Sequence, residues 1–331
     1  MQSIVYKPPT ATGGKFSVGY LVVNKQGQKA YLKALDFSAA FQSPDPAREL
    51  ENLAKAYNFE RDLLAKCTEN KLDRVVIPIA DGWVKVPGNF GDLGNVAYLI
   101  FALAKGDIRS EVERWKKFDV AWVLRSLHHS AVGLNQLHSA GIAHQDLKPS
   151  NVLVFPKEGS KLADLGRASD ISTPSATDDC AIPGDIGYAP PEQWYGWRNS
   201  PDFSPRYMAD LYHLGSLIFF FFMDCSATAA IRFKISQKHA KNFTPSDFIQ
   251  DLAYIQNAFV ESLDELRKYV KESAGDLAEE IVMVAQQLCD PDPRRRGDPK
   301  VLETAYVPHH DLQRYISRFD RLAKVAEIRM I

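Results

Sequence analysis

The chain contains 331 residues, which suits one large domain or two smaller ones, each with a sizeable core. Apolar residues make up 45% and charged residues 24%, as in ordinary globular proteins, and the formal net charge of −1 gives no reason to expect nucleic acid or an anionic membrane as a partner. The four cysteines are far apart and form no CxxC pair, so neither a zinc site nor a disulfide framework is expected.

The first third of the chain has the pattern of β-structure. It opens without a charged segment followed by an apolar run, so we expect no signal peptide. The strand-like pattern of residues 16–36 is interrupted by a polar, glycine-containing turn at 24–28, which predicts a hairpin. The Ser-Pro-Asp-Pro run at 43–46 introduces a predicted helix, and two more strands are predicted at 74–79 and 96–101.

The rest of the chain has the pattern of helices. Apolar residues line one broad face of residues 120–137, and the strong signals after residue 207 are also helical. The most apolar stretch, residues 217–223, is too short to span a bilayer and predicts a buried core helix, so we expect a cytoplasmic protein. Residues 309–331 predict an amphipathic helix that either packs on its own domain or binds a partner. A mainly β first third and a mainly α remainder indicate a two-lobed α+β fold.

Residues suited to chemistry are concentrated in the run His-Gln-Asp-Leu-Lys-Pro-Ser-Asn at 144–151 and in Asp-Leu-Gly at 164–166. Asp146 can accept the proton of an attacking hydroxyl, and Lys148 can neutralise charge on a transferred phosphoryl group. Asn151 offers a carbonyl oxygen to a hard cation such as magnesium. An ordinary polar turn would account for the proline and the serine, but it does not account for the joint spacing of the charged and amide groups.

Both runs resemble the catalytic loop and the metal-binding motif of protein kinases, in the family's order. The resemblance implies an α+β, bilobal fold with a small, mainly β N-lobe that carries one key helix and a larger, mainly α C-lobe. The boundaries that follow are N-lobe 1–100, hinge 101–104, C-lobe 105–308 and C-terminal amphipathic helix 309–331. The resemblance also implies a serine/threonine protein kinase that uses ATP and Mg²⁺, or Mn²⁺, to modify a protein hydroxyl, with Asn151 and Asp164 as the metal ligands.

The same family places a lysine on its third strand and a glutamate on the following helix. Lys33 stands on the third strand here, with a solvated lysine as the alternative interpretation. Of Glu49, Glu51 and Glu60, we choose Glu60 because apolar residues follow it three and four positions later on the same helix face. A surface helix charge remains the alternative for this glutamate.

Residues 12–20 resemble a degenerate form of the kinase glycine-rich loop, which cradles phosphates with backbone N–H groups. The resemblance assigns Gly13, Gly14 and Ser17 to the nucleotide. Gly19 falls where the family usually has a valine above the adenine, unless the register is shifted by one. A plain glycine hairpin is the alternative.

The resemblance extends to the rest of the nucleotide site. Phe101 and Leu103 would belong to the hinge, whose backbone groups can bond adenine whatever the side chains are. Asp107 could reach the ribose, and Leu153 would form the floor beneath the adenine.

Three further matches are structural, and two departures change expectations. Glu192 is expected to pair with Arg296, and Asp210 to anchor the backbone of the catalytic loop.

Gln145 replaces the arginine that pairs with phosphate on the activation segment (residues 164–192) in many kinases, so activity is expected not to require that phosphate. Asp185 replaces a threonine, and its carboxylate could pair with the catalytic-loop lysine, repel the catalytic aspartate, or be an ordinary solvated loop acid.

Two other classes of protein compete with a protein kinase. A pseudokinase scaffold would bind nucleotide or partners without turnover. Pseudokinases commonly lose one of five residues that are all present here: Lys33, Glu60, Asp146, Asn151 and Asp164. A small-molecule kinase on a similar scaffold usually lacks the Lys-Pro that follows the catalytic aspartate. The identity of the substrate, the regulatory signal and the oligomeric state lie beyond what these motifs predict.

Overall fold

The protein is described by a computed structural model over residues 2–5, 17–38, 40–85, 94–198, 200–238, 247–304 and 308–329. It has the two-lobed α+β architecture expected from the sequence. A β-sheet with one long helix forms the N-terminal lobe, and helices form most of the larger C-terminal lobe.

In the described residues, the sheet of the N-terminal lobe has five antiparallel strands: β1 (Gln2–Val5), β2 (Ser17–Val23), β3 (Lys29–Leu35), β4 (Pro78–Lys85) and β5 (Asn95–Ala102). Their spatial order is β1-β2-β3-β5-β4, so β3 is the central strand. The turn between β2 and β3 is closed by Asn24, whose side-chain oxygen accepts from the backbone N–H groups of Gln26 (3.0 Å) and Gln28 (2.9 Å). The hairpin predicted for residues 16–36 is confirmed over the described residues.

Helix α1 (Pro46–Glu69) contacts this sheet through Glu60, which meets Lys33 of β3, and through Tyr57, whose ring meets Trp83 of β4. It begins where the sequence predicts, because Asp45 caps it by accepting from the backbone N–H of Arg48 (3.1 Å) and Pro46 occupies the first turn. Its buried face carries five apolar or weakly polar residues and one carboxylate: Leu53, Tyr57, Glu60, Leu63, Leu64 and Cys67. A helix that buries a single glutamate among apolar residues needs a partner for it.

The strand predicted at residues 74–79 is wrong for most of its length. Val75 makes only an isolated bridge to Leu162, and the strand itself starts at Pro78 and continues to Lys85. Val75 and Val76 are apolar because they are buried in the core of the molecule, not because they belong to the sheet. The real strand lies at the sheet edge and is mostly exposed, so its composition does not show a strand pattern.

The C-terminal lobe contains nine helices in the described residues: α2 (Ile108–Val112), α3 (Val120–Ser139), α4 (Pro191–Trp194), α5 (Ser204–Met223), α6 (Ala227–Lys238), α7 (Phe248–Ala274), α8 (Ala278–Leu288), α9 (Pro299–Leu302) and α10 (Gln313–Arg329). The predicted helices at 120–137 and 217–223 are confirmed as α3 and the end of α5. Residues 207–222 of α5 are buried without interruption, which explains its four consecutive phenylalanines.

The described helices do not individually meet the requirements of a membrane span. None of them is, on its own, long and apolar enough to cross a bilayer, although α5 and α6 have sufficient length and apolar composition as a pair bent by 74°.

The described part of the C-terminal lobe also contains five short strands: β6 (Gly106–Asp107), β7 (Ile142–Ala143), β8 (Val152–Phe155), β9 (Gly159–Leu162) and β10 (Ser169–Asp170). Strand β8 lies between β6 and β9, while β10 pairs with β7. Residues 144–151 therefore connect β7 to β8, and residues 164–166 follow β9. This local topology brings the two chemical motifs to the same edge of the C-terminal lobe.

Helix α10 packs against α3, which agrees with the first of the two alternatives for the C-terminal segment. Tyr315, Phe319 and Leu322 are fully buried in this contact. At its margin, Arg125 forms ion pairs with Asp320 (2.8 Å) and Glu327 (2.7 Å). The apolar face of the helix is covered by the chain's own domain.

Candidate active site

Strand β3 and helix α1 bring a lysine and a glutamate together at the base of the N-terminal lobe. Nζ of Lys33 lies 2.7 and 2.9 Å from the two carboxylate oxygens of Glu60. Lys33 is on the central strand, flanked by β2 and β5, so its side chain has little freedom to leave the pair. Glu51, one of the other two candidates, lies at the surface and pairs with Lys55. The structure thus brings together the pair chosen from the sequence.

Asp164 completes a triad of charges with this pair, since its Oδ1 is 3.5 Å from Nζ of Lys33. The lysine ammonium lowers the pKa of Asp164 below its usual value, despite the opposing effect of burial. Burial alone would lower the pKa of Lys33, but the carboxylates of Glu60 and Asp164 outweigh it and raise the pKa above its usual value. Lys33 and Asp164 are therefore both charged at neutral pH.

The backbone at Asp164 has φ of 61°, a left-handed conformation that a non-glycine residue adopts at an energetic cost. The next residue, Leu165, is buried in the main core and occupies the apolar position of the motif. Gly166 follows, and a Cβ atom there would lie 3.4 Å from Oδ1 of Asp164. This turn directs the carboxylate into the cleft and leaves space beside it.

The carboxylate of Asp146 is held from three sides. Oδ1 accepts from the backbone N–H of Asp185 (2.8 Å), and Oδ2 accepts from the side-chain amide of Asn151 (3.1 Å). Nζ of Lys148 is 3.2 Å from the same Oδ2. These contacts fix both the position and the orientation of the candidate base before any substrate arrives.

The structure decides among the three alternatives for Asp185 in favour of pairing with Lys148. Its Oδ2 lies 3.2 Å from Nζ of Lys148, and its Oδ1 accepts from the backbone N–H of Gly187 (2.8 Å). Burial would raise the pKa of Asp185, but the Gly187 N–H and the Lys148 ammonium hold it below its usual value. Asp185 approaches Asp146 through its backbone N–H, so no carboxylate repulsion arises at that contact.

Asp210, at the centre of α5, anchors the loop that carries Asp146. The fully buried carboxylate accepts from the backbone N–H groups of His144 (2.8 Å) and Gln145 (2.7 Å), and it also bonds Nε2 of His138 (2.9 Å). Burial alone would raise the pKa of Asp210, but its histidine partners hold it well below the usual value. Gln145 has a positive φ of 60°, and this strained backbone is stabilised by the anchor.

Two ties hold the activation segment against the rest of the molecule. Strand β10 pairs with β7, and Asp170 in β10 accepts from Nζ of Lys66 on α1 (2.9 Å). At the far end, both guanidinium nitrogens of the fully buried Arg296 bond Glu192, at 2.7 and 2.8 Å. The ion pair expected from the sequence is thus present, and it is bidentate.

Sequence reasoning missed Gly184, which lies immediately before Asp185. A Cβ atom at this position would lie 2.4 Å from the carbonyl oxygen of Gln145 and 2.8 Å from Oδ1 of Asp146. The activation segment can therefore reach the catalytic loop only if residue 184 has no side chain. The Pro183-Gly184 pair is the one signal in the sequence, and it resembles an ordinary turn.

Most of the residues assigned to the nucleotide lie on described strands or directly after one. Gly13 and Gly14 lie outside the described residues, and Ser17 begins β2. Phe101 is near the end of β5, and Leu103 follows that strand. Asp107 and Leu153 are direct partners in the pairing of β6 with β8, so the proposed ribose and adenine contacts are neighbours.

Two local contacts refine this picture. Asp107 caps α2, and its Oδ1 accepts from the backbone N–H of Ser110 (2.7 Å), which leaves its second oxygen for other partners. The ring of Tyr31 lies over Gly19, where a Cβ atom would be 2.6 Å from the phenolic oxygen. Gly19 thus makes room for a cross-strand tyrosine, which the family's usual valine would not do.

Asp164 and Asn151 suit a magnesium ion held jointly by protein and substrate. The amide nitrogen of Asn151 donates twice to Asp146, to its backbone oxygen (2.8 Å) and to Oδ2 (3.1 Å), so the amide oxygen points away from that residue. The described residues contain no cluster of three or more histidine, cysteine or acidic ligands that could bind a metal on their own. Magnesium commonly takes one or two protein oxygens and completes its shell with phosphates and water, so this donor set fits.

The two-lobed α+β fold brings together a lysine–glutamate pair, the aspartate of the catalytic loop and a second aspartate. This arrangement defines a domain of the phosphoryl-transfer class. The model of the protein kinase domain matches residues 13–307, and the chain belongs to this family.

Relatives with curated descriptions agree with this membership at modest identity. The chain is 31% identical to serine/threonine-protein kinase PknA of Mycobacterium tuberculosis over 37% of its own length and 27% of the relative's. It is 26% identical to Aurora kinase of Debaryomyces hansenii over 63% of its length and 45% of that protein's. For cyclin-dependent kinase 1 of Encephalitozoon cuniculi, the identity is 34% over 31% of this chain and 36% of the relative. The chain thus spans less than half the length of each of these proteins.

Proposed function

We propose that this chain is a serine/threonine protein kinase that transfers the terminal phosphoryl group of ATP to a protein hydroxyl, with Mg²⁺ or Mn²⁺ as the metal. The observation that carries the proposal is the convergence of Lys33, Glu60, Asp146, Asn151 and Asp164 on one cleft. A pseudokinase would be expected to lack at least one of these groups, and all five are present.

Each of these side chains has a separate role in the proposed reaction. Lys33, held by Glu60, would neutralise phosphates of the bound nucleotide. Asp146 would orient the acceptor hydroxyl and receive its proton, and Lys148, 3.2 Å from Asp146, would neutralise charge that develops on the transferred group. A magnesium ion, when bound through Asp164 and Asn151, would neutralise phosphate charge in the same region.

The serine/threonine acceptor class is supported by the Asp-Leu-Lys-Pro run at 146–149, because tyrosine kinases usually have a different pattern after the catalytic aspartate. Several relatives at modest identity are also described as serine/threonine kinases. The acceptor protein itself would be recognised by surfaces that these short motifs do not specify.

We further propose that catalysis does not require a phosphate on the activation segment. Gln145 stands where a phosphate-binding arginine would be needed, and a neutral amide cannot form a bidentate ion pair with a phosphate. Treatment of the purified protein with a phosphatase is expected to leave its initial rate unchanged. A collapse of the rate would contradict this part of the proposal.

Transfer of labelled phosphate from ATP to dephosphorylated casein tests the activity itself. Wild type is expected to label serine and threonine, and Asp164→Ala is expected to lose at least about a hundredfold in rate because a charge of the reacting centre is removed. Nucleotide binding without label transfer by wild type, at any divalent metal concentration, would identify a pseudokinase instead. Label on a small molecule but never on protein would favour a small-molecule kinase.

A further inference from the structure

The neutral residue that replaces arginine before the catalytic aspartate is not left without a partner. The side-chain amide of Gln145 is buried and donates to the hydroxyl of Ser169 (2.5 Å). Ser169 is fully buried in β10, at the start of the activation segment. Its hydroxyl in turn donates to Oδ1 of Asp178 (2.6 Å). A chain of hydrogen bonds therefore connects the catalytic loop to a carboxylate nine residues further along the segment.

Asp178 binds three parts of the chain at once. Besides Ser169, its Oδ1 is 3.2 Å from Nη2 of Arg206 at the start of α5, and its Oδ2 accepts from the backbone N–H of Ser175 (2.8 Å). The backbone oxygen of Asp178 also accepts from the guanidinium of Arg198 (3.0 Å). The Asp178 carboxylate thus binds an arginine, a hydroxyl and a backbone N–H. A phosphate added to a loop orders that loop through contacts of the same kinds.

Arg206 itself is held in place, with its guanidinium carbon 5.0 Å from the ring centroid of Phe203. Arg206 and Asp178 have side chains that are only 19% and 22% exposed, so the pair is shielded from solvent more than an ordinary surface ion pair. The guanidinium of Arg206 is therefore a fixed anion-binding group, and the carboxylate of Asp178 is the anion bound to it.

From these contacts we propose that Asp178 is a positioning residue for phosphoryl transfer. Its carboxylate holds the amide of Gln145 through Ser169 and, with Arg206, keeps the activation segment where the backbone N–H of Asp185 meets Asp146. The Asp178 side chain provides permanently the negative charge that other activation segments gain by phosphorylation. The inference rests on the proposed kinase activity and explains why that activity needs no phosphate on the segment.

The burial of the neighbouring hydroxyl groups agrees with this assignment. Ser169 is fully buried and Thr177 is 7% exposed, and both hydroxyls already have protein partners. A phosphate on either one would have to displace those contacts and crowd the Asp178 carboxylate. The position of the segment is thus set by the side chain at 178 and not by a modification at 169 or 177.

The test compares Asp178→Asn with Asp179→Asn in the full chain. Both substitutions remove one negative charge from adjacent residues, but Asp179 is exposed and its side chain makes no hydrogen bond or ion pair within the described part of the chain. We expect kcat for casein phosphorylation to fall about tenfold or more in Asp178→Asn, because the activation segment, whose Asp185 N–H meets Asp146, loses its fixed position. The KM for ATP should stay within about twofold, since the groups around Lys33 are untouched. Asp179→Asn should match wild type.

Ser169→Ala provides a second variant that leaves Asp178 and Arg206 intact. It should lower kcat in the same way, and the double variant Ser169→Ala with Asp178→Asn should stay within about twofold of the less active single variant, because both changes interrupt one chain of bonds. Hydrogen exchange of the amides in residues 144–151 and 167–180 should rise in both single variants and not in Asp179→Asn. This second measurement does not depend on turnover.

The outcomes separate the inference from the function on which it rests. An active wild type with equal kcat in Asp178→Asn and Asp179→Asn overturns the inference and leaves the kinase activity standing. Equal losses of kcat and of nucleotide affinity would show a general loss of folded protein and would also overturn it. An inactive wild type overturns both proposals. If Asp178→Asn does not fold, an unaltered kcat in Ser169→Ala contradicts the inference by itself.

Discussion

Gly184 lies where the activation segment comes closest to the catalytic loop, so a single methyl group there is a sharp perturbation. In Gly184→Ala, the new Cβ would start 2.4 Å from the carbonyl oxygen of Gln145, whereas ordinary van der Waals contact begins at 3.4 Å. This oxygen is a backbone atom and not the end of a flexible side chain, so the two backbones must separate by about 1 Å. That separation would stretch the bond between the backbone N–H of Asp185 and Asp146, which is now 2.8 Å.

A displacement of about 1 Å at a reacting group can lower a rate about a hundredfold, which corresponds to about 2.7 kcal/mol in the activation barrier. We therefore expect kcat of Gly184→Ala to fall by roughly this factor in the casein assay, with the dissociation constant for ATP unchanged. Nucleotide affinity is expected to persist because Lys33, Glu60 and Asp164 do not contact residue 184.

Gly275→Ala is a suitable control for a general loss of stability. Gly275 has φ of 60°, and a Cβ atom there would have no atom of the described residues within 4 Å, so alanine should lower the free energy of unfolding by about 1 kcal/mol without touching the site. If Gly184→Ala retains kcat within about twofold of wild type, the close approach is not needed for catalysis and the reasoning fails. If Gly275→Ala loses as much activity, stability and not geometry is the cause.

Two further predictions concern the scaffold beneath the site. Arg296→Met should lower the free energy of unfolding by about 3–5 kcal/mol in urea titrations, because Glu192 would remain buried without its partner. Arg267→Met, which removes the partner of the exposed carboxylates of Asp264 and Glu279, should lower it by less than about 1 kcal/mol. The folded state holds the pKa of Asp210 below its usual value, so this carboxylate stabilises the fold above about pH 4 and loses that effect as the pH falls. The difference in unfolding free energy between wild type and Asp210→Asn should therefore shrink as the pH falls below about 4. A difference that grows on acidification would contradict this sign.

Much of the site could be anticipated because its chemistry is encoded in residue types at short, fixed spacings. Asp146, Lys148 and Asn151 lie within one loop, and the helical period alone placed Glu60 on the buried face that meets Lys33. Such local rules apply before any tertiary contact is known, and the structure brings these side chains together.

The remaining features depend on contacts between distant parts of the chain. Attraction and repulsion were both compatible with a carboxylate at 185, and only the folded backbone shows that Asp185 turns its carboxylate to Lys148 and its N–H to Asp146. The strand at 74–79 was predicted wrongly because burial between elements and burial in a sheet select the same apolar residues. The need for glycine at 184 arises from the carbonyl oxygen of Gln145, which the sequence does not place nearby.

Helix α1 contacts two regions that are otherwise separate, through Glu60 on one side and Lys66 on the other. The two residues are six positions apart on one rigid helix, so a shift of the helix changes both contacts together. The resulting linkage is thermodynamic and reciprocal: a ligand that binds more tightly when Glu60 meets Lys33 also favours the pairing of Lys66 with Asp170. A protein that binds the segment around Asp170 would therefore change the affinity of the cleft for nucleotide. Bound nucleotide would change the affinity of that protein for the segment by the same factor.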